Sequence, residues 1–239
     1  MQEPKHDAER INFQVERFIT FSDGVFAIVI TIMVFELKVP DLKLDKPPIF
    51  TDSALWTHLT DMGLKFLGFF ISFWVVGYYW WVHHRIFGYA SKYSTGLLWI
   101  NFGYLFAVAI LPFSSALLGE YGANENMQIP YALYVLNICL TAFMNYWLWI
   151  YISNPKRDIL TRKISRARIK LGIYRTLVIP VIFIFSFLLS LVLPVISLFI
   201  LLLIPAILLW GMGGLERSAE RDEKLELKEA PKKKVINGR

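Results

Sequence analysis

Six polar residues of this chain sit where few polar residues are tolerated. Ser22 and Asp23 lie inside an apolar run, 18–38, that is long enough to cross a bilayer, and Arg17 stands just before it. His83 and His84 close a second such run, and Asn101 lies about one turn into a third. An ionisable side chain in hydrocarbon is expensive, so Asp23 marks a candidate site by its position alone. A buried carboxylate needs partners, and a guanidinium, an imidazole, an amide and a hydroxyl can all supply them. Two chemistries fit this set. One is a hydrogen-bonded knot that ties three helices together, as buried polar groups generally require. The other is a gate or proton-sensing network, because the charge of histidine changes near neutral pH. The structural tie is the reading we take from the residues.

The same first run carries a second pattern. Ile28, Ile32 and Phe35 recur at helical spacing with Thr31 beside them, so one face of that helix is bulky and apolar. Such a stripe usually packs or meets lipid. It can also form a hydrophobic constriction that admits ions only when wetted. Periodicity does not separate these uses.

The elements that hold these residues are membrane spans. Of 239 residues, 56% are hydrophobic and 16% aromatic, which points to a polytopic membrane protein. Apolar runs place spans at about 18–38, 62–82, 96–118 and 130–152. The stretch 171–212 is about 60 Å long as a helix, twice the hydrocarbon thickness. With Pro194 near its middle, it reads as a hairpin of two spans, 171–192 and 195–213. The fold expected is therefore all-α, with six transmembrane helices in one domain, 1–213, and a polar tail, 214–239. Lys156, Arg157, Arg162, Lys163, Arg166, Arg168 and Lys170 crowd the 153–170 connection against the single acid Asp158. The positive-inside rule puts that connection, the 83–95 link and both termini in the cytoplasm. Asp23, the two histidines and Asn101 then share one membrane level near the cytoplasmic side.

Other features narrow the function. The net charge of +6 is concentrated in one connection and the tails, which is a topology signal rather than a nucleic-acid surface. Cys139 is the single cysteine, so neither an intrachain disulfide nor a cysteine metal cluster can form. No cleavable signal peptide is evident. His83 and His84, being adjacent on a helix, point in different directions and make a poor metal pair. Val75-Val76-Gly77-Tyr78-Tyr79 faintly echoes a potassium-channel filter, but it lies within a continuous span and is read as chance. Asn137, Thr141 and Asn145, four residues apart, read as polar glue between helices. No nucleotide loop, nucleophile motif or catalytic carboxylate pair is present, so an enzyme is not expected, and no cofactor or resident metal is implied.

A family resemblance bears on the open alternatives. Arg17-x-x-x-Phe21-Ser22-Asp23, followed by Gly24-Val25-Phe26-Ala27-Ile28, resembles the R-x-x-x-F-S-D first-helix motif of the transmembrane protein 175 potassium-channel family. The likeness continues in Trp80-Trp81-Val82-His83-His84-Arg85, in Asn101 and in Leu111-Pro112-Phe113. Spans four to six match mainly in pattern. The resemblance implies a potassium-permeable cation channel of the plasma membrane that lacks a T-V-G-Y-G filter. Its subunits would be six-helix units assembled as a homotetramer around a central pore, with potassium, lipid and copies of itself as partners. It implies a constriction at Ile28, Ile32 and Phe35, with Thr31 as a hydroxyl layer. Phe35 departs from the usual aliphatic residue there. It also implies a polar network of Arg17, Ser22, Asp23, a span-two histidine (His83 or His84) and Asn101. The competing reading is a proton- or ion-coupled secondary transporter with Asp23 and the histidines as its relay. A non-conducting scaffold is the third.

Overall fold

The computed structural model describes residues 3–42, 50–122, 127–160, 164–207, 216–218 and 221–222, and these are all-helical apart from one isolated bridge, Ala90 to Leu160. Helix α1, Glu3–Ile32, continues into a 3-10 turn, Met33–Glu36. A short helix, α2 (Asp52–Asp61), starts beyond the prolines of the first connection, where the Thr51 hydroxyl caps the backbone N–H of Ala54. α3 spans Gly63–Phe87, α4 Thr95–Ala109 and α5 Leu111–Tyr121. α6 runs from Ile129 to Ser153 and α7 from Arg166 to Ser190, followed by α8, Pro194–Leu201, and α9, Ile204–Ala206.

Among the described residues, five segments are long and apolar enough to cross a membrane: Gln14–Glu36, Gly63–Phe87, Thr95–Tyr121, Ile129–Ser153 and Arg166–Ser190. Each overlaps one of the first five expected spans and differs at its ends by a few residues. The third crossing is broken once. Pro112 has no N–H to donate and its ring crowds the carbonyl four residues back, so α4 stops at Ala109 and α5 starts after Ile110.

The sixth expected span, 195–213, has no continuous counterpart among the described residues. α8 is eight residues long, the chain turns at Leu202 and Leu203, and α9 adds three residues. α8 folds back on α7 through the three-residue turn Leu191–Leu193. The Ser186 hydroxyl of α7 donates to the Ser197 carbonyl and accepts from the Tyr131 hydroxyl of α6, which pins the hairpin. The boundary between the 1–213 domain and its tail falls within the undescribed stretch.

α6 occupies the middle of the bundle, packed on α4 and α5 on one side and α7 on the other. Asn137, Thr141 and Asn145 are all buried there. Asn137 bonds to Ser114 of α5, and Asn145 donates to the Thr176 hydroxyl of α7. Polar side chains therefore do join these helices. At Gly172 of α7 the indole of Trp149 lies where a Cβ would be, so the small residue sets how closely α6 and α7 approach. α1 stands at the edge, packed on α3 and α4 along one face.

Candidate functional site

The two faces of α1 differ. Phe18, Ser22, Phe26, Val29 and Met33 are buried, stepping by three or four residues along one side. Between them run Phe21, Gly24, Ala27, Ile28, Thr31, Ile32 and Phe35, all exposed. Ile28 is 58% exposed, Ile32 45% and Phe35 78%. The 3-10 turn repeats every three residues, so Phe35 stays on the face of Ile32 although the helix type changes. The Thr31 hydroxyl is turned to its own backbone, donating to the carbonyls of Ala27 and Ile28 at 2.8 and 2.9 Å. It is therefore satisfied without water and can sit in an apolar ring at little desolvation cost.

The buried face of α1 meets a hydrogen-bonded chain that crosses three helices. The Ser22 hydroxyl donates to the Phe18 carbonyl at 3.0 Å, which leaves its oxygen to accept from Asn101 Nδ2 at 2.9 Å. Asn101 Oδ1 must then accept from His83 Nε2, 2.8 Å away. The carbonyl at one end thus sets every donor, and His83 is held as the Nε2–H tautomer. All three side chains are fully buried. The imidazole lies flat against Tyr104, ring centroids 5.4 Å apart, with Phe26 and Phe87 around it. Its Nδ1 is buried with no hydrogen-bond partner among the described residues.

Asp23, one residue on, makes a separate contact: half-buried, it accepts from the indole N–H of Trp80 at 2.9 Å. Trp80 is thus a partner beyond the set expected from the sequence, and helical geometry accounts for it. Asp23 follows Ser22 by about 100°, which turns it away from Asn101 and toward the neighbouring face of α3. Trp80 precedes His83 by three residues and presents its N–H on that face. His84 is exposed and lies against the Trp80 ring, and Arg17 is exposed on the turn before Phe21. Of the two histidines, His83 joins Asn101. From the sequence alone Tyr104 is not picked out, and Trp80 enters only within the Trp80–Arg85 motif, without a role in the network. The signal for Trp80 was its three- and four-residue spacing from the histidines.

At the opposite end of α1, Glu36, Lys38, Lys65 and Glu120 border a cavity of about 380 Å³, and Lys65 pairs with Glu120 at 2.7 Å. Beneath it the Ser72 hydroxyl bonds to Ser115 and Tyr134 at 2.8 and 2.7 Å. No group of three or more metal-ligating side chains occurs among the described residues.

Residues 17–112 match the family described as endosomal/lysosomal potassium channel TMEM175, a stretch that holds both faces of α1 and the whole hydrogen-bonded chain. Potassium channel B446_29190 of Streptomyces collinus is 31% identical over 163 residues, covering 65% of this chain and 76% of that protein. Potassium channel HX13_20290 of Chryseobacterium is 35% identical over 126 residues, 53% of this chain and 58% of the relative. The crystal structure of a lysosomal potassium-selective channel TMEM175 homolog from Chamaesiphon minutus superposes with a TM-score of 0.66. It covers 86% of this chain and 98% of that one at 23% identity, so the likeness is one of fold.

Proposed function

This chain belongs to the TMEM175 family, and from that premise we propose that it is the subunit of a potassium-permeable channel whose pore is lined by α1. The observation that carries this reading is the uncovered face of α1. Ile28, Ile32 and Phe35 point away from the subunit, while the opposite face is sealed against α3 and α4. Small residues, Gly24, Ala27 and Thr31, alternate with the bulky ones, which suits close approach of helices better than contact with lipid alone. One helix cannot enclose a path. Four copies around a cyclic axis can, each offering the same face. Successive rings of Ile28, Ile32 and Phe35 would then form a constriction with Thr31 between them. Bulky apolar rings exclude water from a narrow pore, so an ion must shed hydration or wait for a wetted state.

The buried chain of Ser22, Asn101 and His83 holds α1 at a set rotation against α3 and α4. That rotation decides which face meets the axis. Asp23, with Arg17 nearby, belongs to the entrance at the same membrane level. The basic 153–170 connection supports a cytoplasmic placement of that level and of both termini, and a plasma-membrane location. A terminal tag reached from outside intact cells would reverse this orientation.

A coupled transporter is favoured by one feature, the Nδ1 of His83, which has no hydrogen-bond partner among the described residues. Potassium flux in liposomes separates the readings. A channel passes potassium down its gradient with no co-substrate, and flux grows in proportion to that gradient. Flux that saturates and requires a proton gradient supports the transporter, and no flux supports a scaffold.

A further inference from the structure

A buried cation lies outside the pore and the hydrogen-bonded chain. Near the end of α3 that carries His83, the guanidinium groups of Arg85 and Arg175 each lie 5.0 Å from the Trp81 ring. Both reach the same carboxylate oxygen of Glu216, Arg85 by a short hydrogen bond and Arg175 at 3.4 Å. The Arg175 side chain is 8% exposed, and the backbone carbonyl of Arg175 accepts from the Tyr78 hydroxyl at 2.7 Å. Arg85, Arg168 and Arg175 border one small cleft between α3 and α7.

The occupant does not satisfy this site. Among the described residues, two guanidinium groups face one carboxylate, which leaves an excess positive charge. Nη2 of Arg175 meets Glu216 only as an ion pair at 3.4 Å, and Nε is buried without a hydrogen-bond partner among the described residues. A buried guanidinium with an unsatisfied N–H is costly, and its planar fork suits an anion with several oxygens. Burial opposes the charge on Glu216, but Arg85 and Arg175 together outweigh it and hold the carboxyl below its ordinary range. The tail therefore docks as an anion.

We propose that Arg85 and Arg175, braced on Trp81, form a phosphate-binding site between the cytoplasmic end of α3 and the first half of α7, and that Glu216 is an internal ligand which a phosphate group displaces. A phosphate group brings more charge than a carboxylate and enough oxygens for both forks, including Nε of Arg175. The site lies two residues from the end of α3, at headgroup depth. The neighbouring 153–170 connection is strongly basic and would concentrate anionic lipids there. The phosphate can come from a lipid headgroup or from solution.

The test uses the full chain in detergent, titrated with dioctanoyl phosphatidic acid, dioctanoyl phosphatidylcholine or inorganic pyrophosphate, with binding read by native mass spectrometry. Phosphatidic acid should bind more tightly than phosphatidylcholine. Glu216→Gln removes the competitor and should tighten binding about fivefold or more, because the competent state is no longer partly occupied. Arg85→Gln, at a half-exposed side chain that leaves the buried one in place, should weaken it about tenfold. Arg175→Lys keeps the charge but loses the fork and should also weaken it. Pyrophosphate binding with the same responses identifies a soluble phosphate as the ligand; lipid binding alone identifies the headgroup. If Glu216→Gln and Arg85→Gln both leave phosphatidic acid and pyrophosphate binding unchanged in folded protein, there is no such site.

Discussion

Asparagine in place of Ile28 should raise cation flux about tenfold and weaken the preference for potassium over sodium. Ile28 is 58% exposed on the free face of α1, so the substitution disturbs little packing within the subunit. Around an axis it would replace a ring of aliphatic groups with amides that hold water. A tenfold rise corresponds to about 1.4 kcal/mol off the barrier, a modest demand on a step limited by wetting. A wider, polar ring passes ions with more of their hydration, and discrimination falls with it. Leu136, 64% exposed on α6, is the matched control, and its asparagine variant should conduct as wild type does. The measurement is potassium and sodium flux in liposomes at equal protein content.

Leucine in place of Asn101 should be the most damaging change in the polar chain. It removes the acceptor for His83 Nε2–H, which is left buried and unsatisfied, and the donor to Ser22 Oγ, which keeps its bond to the Phe18 carbonyl. With one stranded donor, the loss is about 1–3 kcal/mol. For a chain of this size that lowers the melting temperature by about 2–12 °C. Asp23→Asn should cost less than about 1 kcal/mol, since the half-buried side chain keeps an oxygen for the Trp80 indole. Thermal unfolding of both variants in detergent separates them. Equal stability would mean that the chain through Asn101 does not set the position of α1.

Much of this arrangement is legible in the sequence, and the parts that are not share a cause. Hydropathy located five crossings because apolar length is a one-dimensional property. Topology then put Ser22, His83 and Asn101 at one level, and level was enough to bring them together. Rotation was not legible. Level alone does not say that Ser22 faces Asn101 while Asp23, one residue on, faces Trp80. The break at Ile110 followed from Pro112, a signal present in the sequence but masked by an unbroken apolar run. The 195–213 stretch is equally apolar, yet its described part turns at Leu202 and Leu203, just ahead of Pro205, a signal hidden in the same way as Pro112. The docking of Glu216 on Arg85 joins residues 131 apart through a segment with no periodic pattern, and no local rule reaches that far.

The central claim is that the face bearing Ile28 meets the permeating ion, and a cysteine there tests it most directly. In a background with Cys139 replaced by alanine, Ile28→Cys places a thiol on the free face of α1 and Val29→Cys one on the packed face, where the residue is 5% exposed. Potassium flux through liposomes is then recorded before and after adding silver ions, which pass where small cations pass and bind thiolates. The account predicts that silver abolishes flux through the Ile28→Cys protein and leaves the Val29→Cys protein conducting. Unchanged flux through Ile28→Cys, with the thiol shown to be intact, would contradict it and return α1 to the role of a packing helix.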